Sequence, residues 1–181
     1  MNKTFDLTEQ LVQSCIHGDE RARYEIYQQF VKPMYNVAYR IVANQFDAED
    51  VVQDAFIKAF KKIGSLKDNR AFASWLKQIV VNEAISLIRK TKKMHLLAED
   101  IEQITDVEVK EVSDDIPIEK VMKTIQELPH GARIVFTLRA IEGYRLNEVS
   151  ELTGQTVNNC KVQYHRARKI LSSKLKTILY A

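Results

Sequence analysis

The chain has 181 residues, of which 45% are hydrophobic, and a formal net charge of +3. This length suits one domain or two small ones, and the hydrophobic fraction excludes wholesale disorder. The 2 cysteines and 4 histidines lack metal-ligand spacing, so we expect no disulfide, metal or cofactor. The sequence has no long apolar run and no signal peptide, which predicts a cytoplasmic protein without a transmembrane helix.

Helical periodicity runs through the first half of the sequence, where proline and glycine are scarce. Asp6 or Thr8 is predicted to cap a first short helix that ends near Gly18. A second helix follows Asp19, and Pro33 is expected to kink or interrupt it.

A third helix is predicted over residues 47–63 and a fourth over residues 71–92. The acidic side chains of the third helix share one face; they are Asp47, Asp50 and Asp54. Taken alone, these residues fit a solvated face on which Asp54 pairs with Lys58 one turn away.

Residues 94–117 lose the periodicity and are strongly acidic. Nine acidic residues lie between positions 99 and 119, against a single lysine. We interpret this segment as a flexible acidic linker that separates residues 1–93 from residues 118–181. The predicted fold is all-α, with two small helical domains.

The second domain is predicted to open with two helices, one near Ile118 and one that starts at Pro129, since proline is tolerated in a first helical turn. Glu142-Gly143 is predicted to end the second of these helices. A short helical segment then meets a break at Thr153-Gly154-Gln155, and a longer helix follows from Val157. After Glu151 the chain carries six lysines and arginines and no acidic residue. Two helices joined by a glycine turn, the second one basic, indicate a DNA-binding helix-turn-helix.

Four segments together resemble the sigma-70 family of bacterial transcription initiation factors, in its two-domain extracytoplasmic-function (ECF) form. They are Gly18–Ala22 with the aromatic helix Tyr24–Phe30, Asp47–Phe56, Phe72–Leu76 with Asn82 and Arg89, and Leu128–Arg168. The resemblance implies a sigma domain 2 bundle followed by a sigma domain 4 helix-turn-helix. It also implies a protein that is not an enzyme: it binds core RNA polymerase, directs it to promoter DNA at the −10 and −35 elements and aids melting. An anti-sigma factor is a further expected partner.

The resemblance assigns three sets of site residues. Contacts with core RNA polymerase are expected from Asp47, Asp50, Gln53, Asp54 and Phe56. Contacts with DNA near the transcription start are expected from Trp75, Lys77, Asn82, Ser86, Arg89, Lys90, Lys92 and Lys93. Contacts with the upstream element are expected from Thr156, Asn158, Asn159, Lys161, Val162, Gln163, His165, Arg166, Arg168 and Lys169. Taken alone, Trp75 fits a core position better than a base-stacking platform.

The sequence departs from the family pattern at three of its positions. Ser86 stands where an aspartate is usual, Gln163 where an arginine is usual, and Arg145 where a serine usually caps the first helix of the motif. Asparagine and glutamine pair with adenine, whereas arginine prefers guanine. An A-rich contact by Asn158, Asn159 or Gln163 is therefore predicted, together with a less well fixed start of the helix after Arg145.

Two other functions fit parts of the sequence. A free-standing helix-turn-helix regulator would bind a palindromic duplex site without polymerase, but the segment 47–56 argues against it. An enzyme is disfavoured because the sequence holds no glycine-rich phosphate loop and no nucleophile–base pair. The acidic linker itself serves solubility and reach, or follows a positively charged channel of the polymerase, and these two roles are compatible.

Overall fold

The computed structural model describes the backbone of residues 3–92 and 117–179, and the side chains of residues 7–91 and 117–175. The chain divides into two compact units, residues 1–91 (unit 1) and residues 92–181 (unit 2). Nearly all of the predicted linker lies outside the described residues, and each unit is considered by itself.

Unit 1 contains four helices with two short 3-10 turns between the last two. They are α1 (Lys3–Ile16), α2 (Glu20–Val42), α3 (Gln45–Lys62), the turns Ile63–Ser65 and Asn69–Ala71, and α4 (Phe72–Lys92). The described part of unit 2 contains four more. They are α5 (Ile118–Gln126), α6 (His130–Phe136), which continues as a π-helical turn (Thr137–Ile141), α7 (Leu146–Thr153) and α8 (Val157–Leu179). Within the described ranges no strand occurs, so the all-α prediction is confirmed.

The start of α1 differs from the prediction. The helix already includes Lys3, so Asp6 and Thr8 lie inside it and neither is its cap. The Thr8 hydroxyl instead accepts a hydrogen bond from Nε2 of Gln29 at 3.0 Å. A local capping rule missed this contact, which ties α1 to α2.

Helix α2 begins as predicted and is not interrupted. The Asp19 carboxylate accepts hydrogen bonds from the backbone N–H groups of Arg21 at 2.8 Å and Ala22 at 3.3 Å, as expected of an N-cap. Pro33 lies inside the helix, which nevertheless runs on to Val42. Pro33 is exposed, so water can satisfy the carbonyl that its missing N–H leaves unpaired. The predicted interruption is therefore wrong.

The core of unit 1 is built where α2, α3 and α4 meet. Two edge-to-face ring pairs join these helices: Tyr27 with Phe56 at a centroid distance of 4.9 Å, and Phe30 with Phe72 at 5.4 Å. The fully buried side chains around them include Ile26, Ile41, Leu76, Val80 and Val81. Such ring pairs add to the burial of apolar area, and together they fix how α3 and α4 present their outer faces.

The helix-turn-helix of unit 2 is confirmed. Gly154 adopts φ 73°, and its N–H donates to the carbonyl of Ser150 at 2.8 Å, which ends α7. The predicted stop at Glu142-Gly143 is also present, with Gly143 at φ 84°. Pro129 precedes α6 by one residue instead of opening its first turn.

The start of helix α7 keeps one half of a capping box. The backbone N–H of Arg145 donates to Oε2 of Glu148 at 2.6 Å, which is the reciprocal half of that motif. The side chain of Arg145 makes no capping hydrogen bond, so the half that a serine would supply is missing, and the less well fixed helix start stays a prediction.

Both cysteines are buried, Cys15 in unit 1 and Cys160 on the inner side of α8. Burial raises the pKa of the Cys15 thiol to about 11, and it also raises the pKa of Cys160. Among the described helices, none is long and apolar enough to cross a membrane.

Replacing Ala43 is expected to stabilise unit 1. Ala43 follows α2 with φ 55° and ψ 29°, a left-handed conformation that costs a residue with a Cβ about 1–2 kcal/mol. Ala43→Gly should raise the free energy of unfolding by about 1 kcal/mol. Urea denaturation followed by the fluorescence of Trp75, the single tryptophan, reports on unit 1. Gly18→Ala is the matched control, because Gly18 has φ 88° with open space around it. This variant should lower the free energy of unfolding. An unchanged urea midpoint for Ala43→Gly would contradict the expected gain.

The thiols should be slow to react in the folded protein. With its pKa moved from 9.0 to about 11, Cys15 carries about 100-fold less thiolate at about pH 8 than an ordinary cysteine. Alkylation followed by mass spectrometry, with and without denaturant, measures each cysteine separately. Equal rates in the folded and the denatured protein would contradict the burial of Cys15.

Candidate nucleic-acid and partner interfaces

Helix α3 carries a mixed apolar and polar stripe on its outer side, which we call the α3 stripe: Phe46, Asp50, Gln53 and Ile57. The spacings of four, three and four residues place these side chains on one face. Phe46 is 76% exposed and Ile57 is 52% exposed, and Asp50 and Gln53 between them are exposed as well. Two large apolar side chains held in water beside polar groups are typical of a protein-binding surface.

The predicted polymerase contacts are only partly brought together by this stripe. Asp54 is exposed next to it, while Asp47 is half-buried near the start of α3. Phe56 is 3% exposed and packs on Tyr27, so it belongs to the core and its predicted contact is wrong. The sequence analysis did not include Phe46 and Ile57. Both are apolar residues at positions that do not fall on the buried side of α3, and this can be seen in the sequence.

Lys58 is not available to pair with Asp54. Its ammonium group instead forms an ion pair with the carboxylate of Glu83, which joins α3 to α4. The predicted pair within α3 is therefore wrong, and the acidic side chains of the outer face keep their charge open to a partner.

Helix α4 presents a polar face that we call the α4 face: Asn82, Ser86, Arg89 and Lys90. All four are exposed, and spacings of four, three and one residue keep them on one side of the helix. Trp75 lies two turns earlier on the same side, half-buried, with its ring 5.9 Å from that of Phe72.

Three other predicted contacts of this helix are placed differently. Lys77 is half-buried and lies on a different side of α4 from Asn82. The side chain of Lys92, and Lys93 as a whole, lie outside the described residues. The structure therefore groups Asn82, Ser86, Arg89 and Lys90 on one face, with the indole of Trp75 at one end.

The second helix of the helix-turn-helix has one continuous outward side, the α8 face: Asn158, Lys161, Val162, His165 and Lys169. Spacings of three, one, three and four residues align these positions. All are exposed except Val162, which is half-buried. Arg166 and Arg168 flank the face and are half-buried, so cationic groups border an amide and an apolar side chain.

Thr156 and Asn159 are engaged in the start of α8. The Thr156 hydroxyl accepts a hydrogen bond from the N–H of Asn159 at 3.1 Å, as an N-cap does. Nδ2 of Asn159 donates to Oε1 of Gln155 at 3.2 Å. Both residues hold the turn between α7 and α8, and neither belongs to the α8 face.

Gln163 is half-buried, with its amide turned toward α6. Its side chain lies against Gly131 of α6, and its Oε1 is buried with no hydrogen-bond partner among the described residues. The next residue, Tyr164, stacks on Phe136 with a centroid distance of 6.0 Å. A base contact by Gln163 does not agree with this placement.

The far half of α8 is braced against α5. Nζ of Lys174 donates to Oε2 of Glu127 at 2.8 Å, and this hydrogen bond lowers the pKa of the Glu127 carboxyl. Both groups are exposed, so the pair contributes little stability. The packing of α8 is stabilised mainly by the hydrophobic cluster beneath this pair, which contains Ile125, Leu128, Ala132, Ala167 and Leu171.

Comparison with protein families gives a match to each unit. Residues 26–94 match Sigma-70 region 2, and residues 118–171 match Sigma-70, region 4. The matched spans contain the α3 stripe and the α4 face in the first case, and α7 with α8 as far as residue 171 in the second.

Two solved structures share the fold. One is CnrH in complex with the cytosolic domain of CnrY, with a TM-score of 0.53 and 23% identity over 94% of this chain and 97% of that one. The other is the sigma factor RpoE from Bartonella quintana in complex with the anti-sigma factor NepR, with a TM-score of 0.52 and 23% identity over 84% and 96%.

Curated relatives match along most of their length. The ECF RNA polymerase sigma factor SigW of Bacillus subtilis is 31% identical, over 89% of this chain and 92% of SigW. The RNA polymerase sigma-H factor of Pseudomonas aeruginosa is 29% identical over 97% of both chains. The ECF RNA polymerase sigma-E factor of Escherichia coli K12 is 28% identical over 96% and 97%. The helix-turn-helix, the two matched regions and these relatives together place the chain in the sigma-70 family, as an ECF RNA polymerase sigma factor that acts in promoter-specific transcription initiation and is not an enzyme.

Proposed function

We propose that the α3 stripe is the surface with which this sigma factor docks on core RNA polymerase. Phe46 and Ile57 offer apolar area that water solvates poorly, and Asp50 and Gln53 between them offer hydrogen-bonding groups. Asp54 extends the polar part of the surface. An apolar centre with a polar rim is the arrangement that gives both affinity and orientation at a protein interface.

The α4 face is proposed to engage the promoter near the transcription start. Asn82 carries both a donor and an acceptor for the edge of an unpaired base, while Arg89 and Lys90 suit phosphates. Trp75 is only half-buried, so one edge of its indole is accessible at the end of this face. Ser86 offers a hydroxyl where the family commonly has a carboxylate, which changes the base preference at this point.

The α8 face is proposed to read the upstream promoter element. The observation that carries this assignment is that one side of α8 is buried while the other keeps Asn158 and Val162 outward between cationic side chains. In a major groove, Asn158 can pair with adenine and Val162 can contact a thymine methyl group. Lys161 and Lys169, with Arg166 and Arg168 at the flanks, suit the phosphates.

The two promoter-binding surfaces belong to two units, which we propose act as separate domains, residues 1–93 and residues 118–181. Residues 94–117 then serve as the acidic linker between them. Each unit offers few base contacts, so binding to both elements at once depends on polymerase to set their spacing.

An anti-sigma factor is the proposed regulator. Two proteins of the same fold were solved with such a partner or with a cytosolic domain bound to them: CnrH with CnrY, and RpoE with the anti-sigma factor NepR. A partner that covers the α3 stripe would compete directly with polymerase. Because sigma factors act on RNA polymerase, we place this chain in the cytoplasm.

Truncation of the α3 stripe is expected to weaken polymerase binding. Phe46→Ala with Ile57→Ala, and separately Gln53→Ala with Asp54→Ala, should each raise the Kd for bacterial core RNA polymerase by about tenfold or more, since central interface residues contribute about 1–2 kcal/mol or more each. Fluorescence anisotropy of the labelled chain, with excess housekeeping sigma factor as competitor, measures this. Tyr24→Ala is the control, because Tyr24 is also an exposed aromatic residue, at 65%, but lies outside the stripe. If all variants bind alike, or if the chain binds duplex DNA tightly without polymerase, the docking assignment is wrong.

Base reading and phosphate binding on α8 should separate experimentally. Asn158→Ala in the holoenzyme should reduce discrimination at one base pair of the upstream element, by about 1–3 kcal/mol. Lys169→Ala should weaken binding to all sequences alike and lower the salt dependence. Competition binding with single-substituted promoters at several salt concentrations measures both. Identical profiles for the two variants would contradict the division of roles.

A further inference from the structure

We infer that Gln163 is a positioning residue for α8: its amide rests on Gly131 of α6 and sets the rotation with which α8 presents Asn158 and Val162 to DNA. This inference rests on the proposed reading of the upstream element by the α8 face. It assigns promoter specificity to a pair of residues that do not touch DNA.

The contact depends on the absence of a side chain at position 131. A Cβ placed on Gly131 would lie 3.3 Å from Cδ, 3.4 Å from Nε2 and 3.5 Å from Oε1 of Gln163. Gly131 itself is buried. A methyl group there would therefore push the amide by a few tenths of an ångström, because Gly131 and Oε1 of Gln163 are both buried.

The next residue of α8 makes a second contact, and the two contacts together limit the rotation of the helix about its axis. Tyr164 stacks on Phe136 at a centroid distance of 6.0 Å and an interplanar angle of 20°. Successive residues of an α-helix differ by about 100° around its axis, so Gln163 and Tyr164 flank the inner edge of α8. Ala167, 0% exposed, lies between them on that edge. The helix is thus held against α6 on both sides.

A change in the contact between Gln163 and Gly131 would displace the outward side chains of α8. With a helix diameter of about 10–12 Å, a rotation of about 10° moves the tip of an outward side chain by about 1 Å. A base-edge hydrogen bond does not tolerate such a displacement. Every reading position on the α8 face would shift together, since Asn158 and Val162 are part of the same rigid helix.

The buried carbonyl of Gln163 supports positioning over direct reading. Among the described residues its Oε1 has no hydrogen-bond partner, yet it is enclosed. To reach a base, the amide would have to leave the contact with Gly131 and open a gap between α6 and α8. An amide held in this contact acts on DNA only through the placement of the helix.

The test is a double-mutant cycle in the full-length chain, assembled with bacterial core RNA polymerase. Gly131→Ala, Gln163→Ala and the double variant are compared with the parent protein by selection from a library of upstream elements. Gly131→Ala should lower discrimination by about fivefold at several positions of the element, equivalent to about 1 kcal/mol, while thermal stability stays equal or rises because alanine favours a helix over glycine. Gln163→Ala alone should also lower discrimination at several positions, because it removes the amide that rests on Gly131. In the double variant the new methyl group fills part of the space that the shortened residue 163 leaves, so discrimination should be closer to that of the parent than in either single variant.

Three results would overturn the inference. The first is a change confined to one base pair in Gln163→Ala with Gly131→Ala unchanged, which would mean that Gln163 reads DNA directly. The second is equal loss in Gly131→Ala and the double variant, which would mean that residue 131 acts without Gln163. The third is parent-like discrimination in all three variants. Asn158→Ala, included in parallel, separates these cases from a failure of the proposed function: if it leaves discrimination unchanged, α8 does not read the element and both proposals fall.

Discussion

Burial of one side of each helix against small side chains governs what the opposite side can do. In α3 the inner side carries Ala48, Ala55 and Ala59, all 0% exposed. In α8 it carries Cys160 and Ala167, also 0% exposed. Small residues let helix backbones approach closely, and a close-packed contact leaves little freedom for rotation. The packing of the inner side therefore fixes the orientation of the outer side chains, which are the ones proposed to contact polymerase or DNA.

This dependence explains why the elements that act on partners are helices and why their outer faces are compositionally mixed. The α3 stripe combines apolar and acidic groups for a protein surface, and the α8 face combines an amide with cationic groups for a polyanion. Ring pairs such as Tyr27 with Phe56 and Phe136 with Tyr164 hold the inner sides of these helices. Neither helix can therefore rotate about its own axis to reorient its outer face. The specificity of each surface is therefore a property of its unit's core.

Local signals in the sequence predicted the helices, the start of α2 after Asp19, the stop at Gly143 and the turn at Gly154. These features depend on residues within one turn of each other, so periodicity and capping preferences are sufficient. Three of the departures from expectation involve contacts between helices. Thr8 bonds to Gln29, Lys58 pairs with Glu83, and Gln163 packs on Gly131. In each case a side chain that looked available in its own helix is engaged by another.

The net charge of +3 conceals a separation of charge that matters for how the factor finds a promoter. The nine acidic residues between positions 99 and 119 offset the cationic groups of α4 and α8. Phosphate contacts supply affinity without sequence preference, so a chain with a large positive excess would be held by any DNA. On the proposed assignments, near balance leaves the free factor with weak general affinity, and binding depends on polymerase to align the α4 face and the α8 face on the same promoter. The few side chains proposed to read bases, led by Asn158, would then decide which promoters are used.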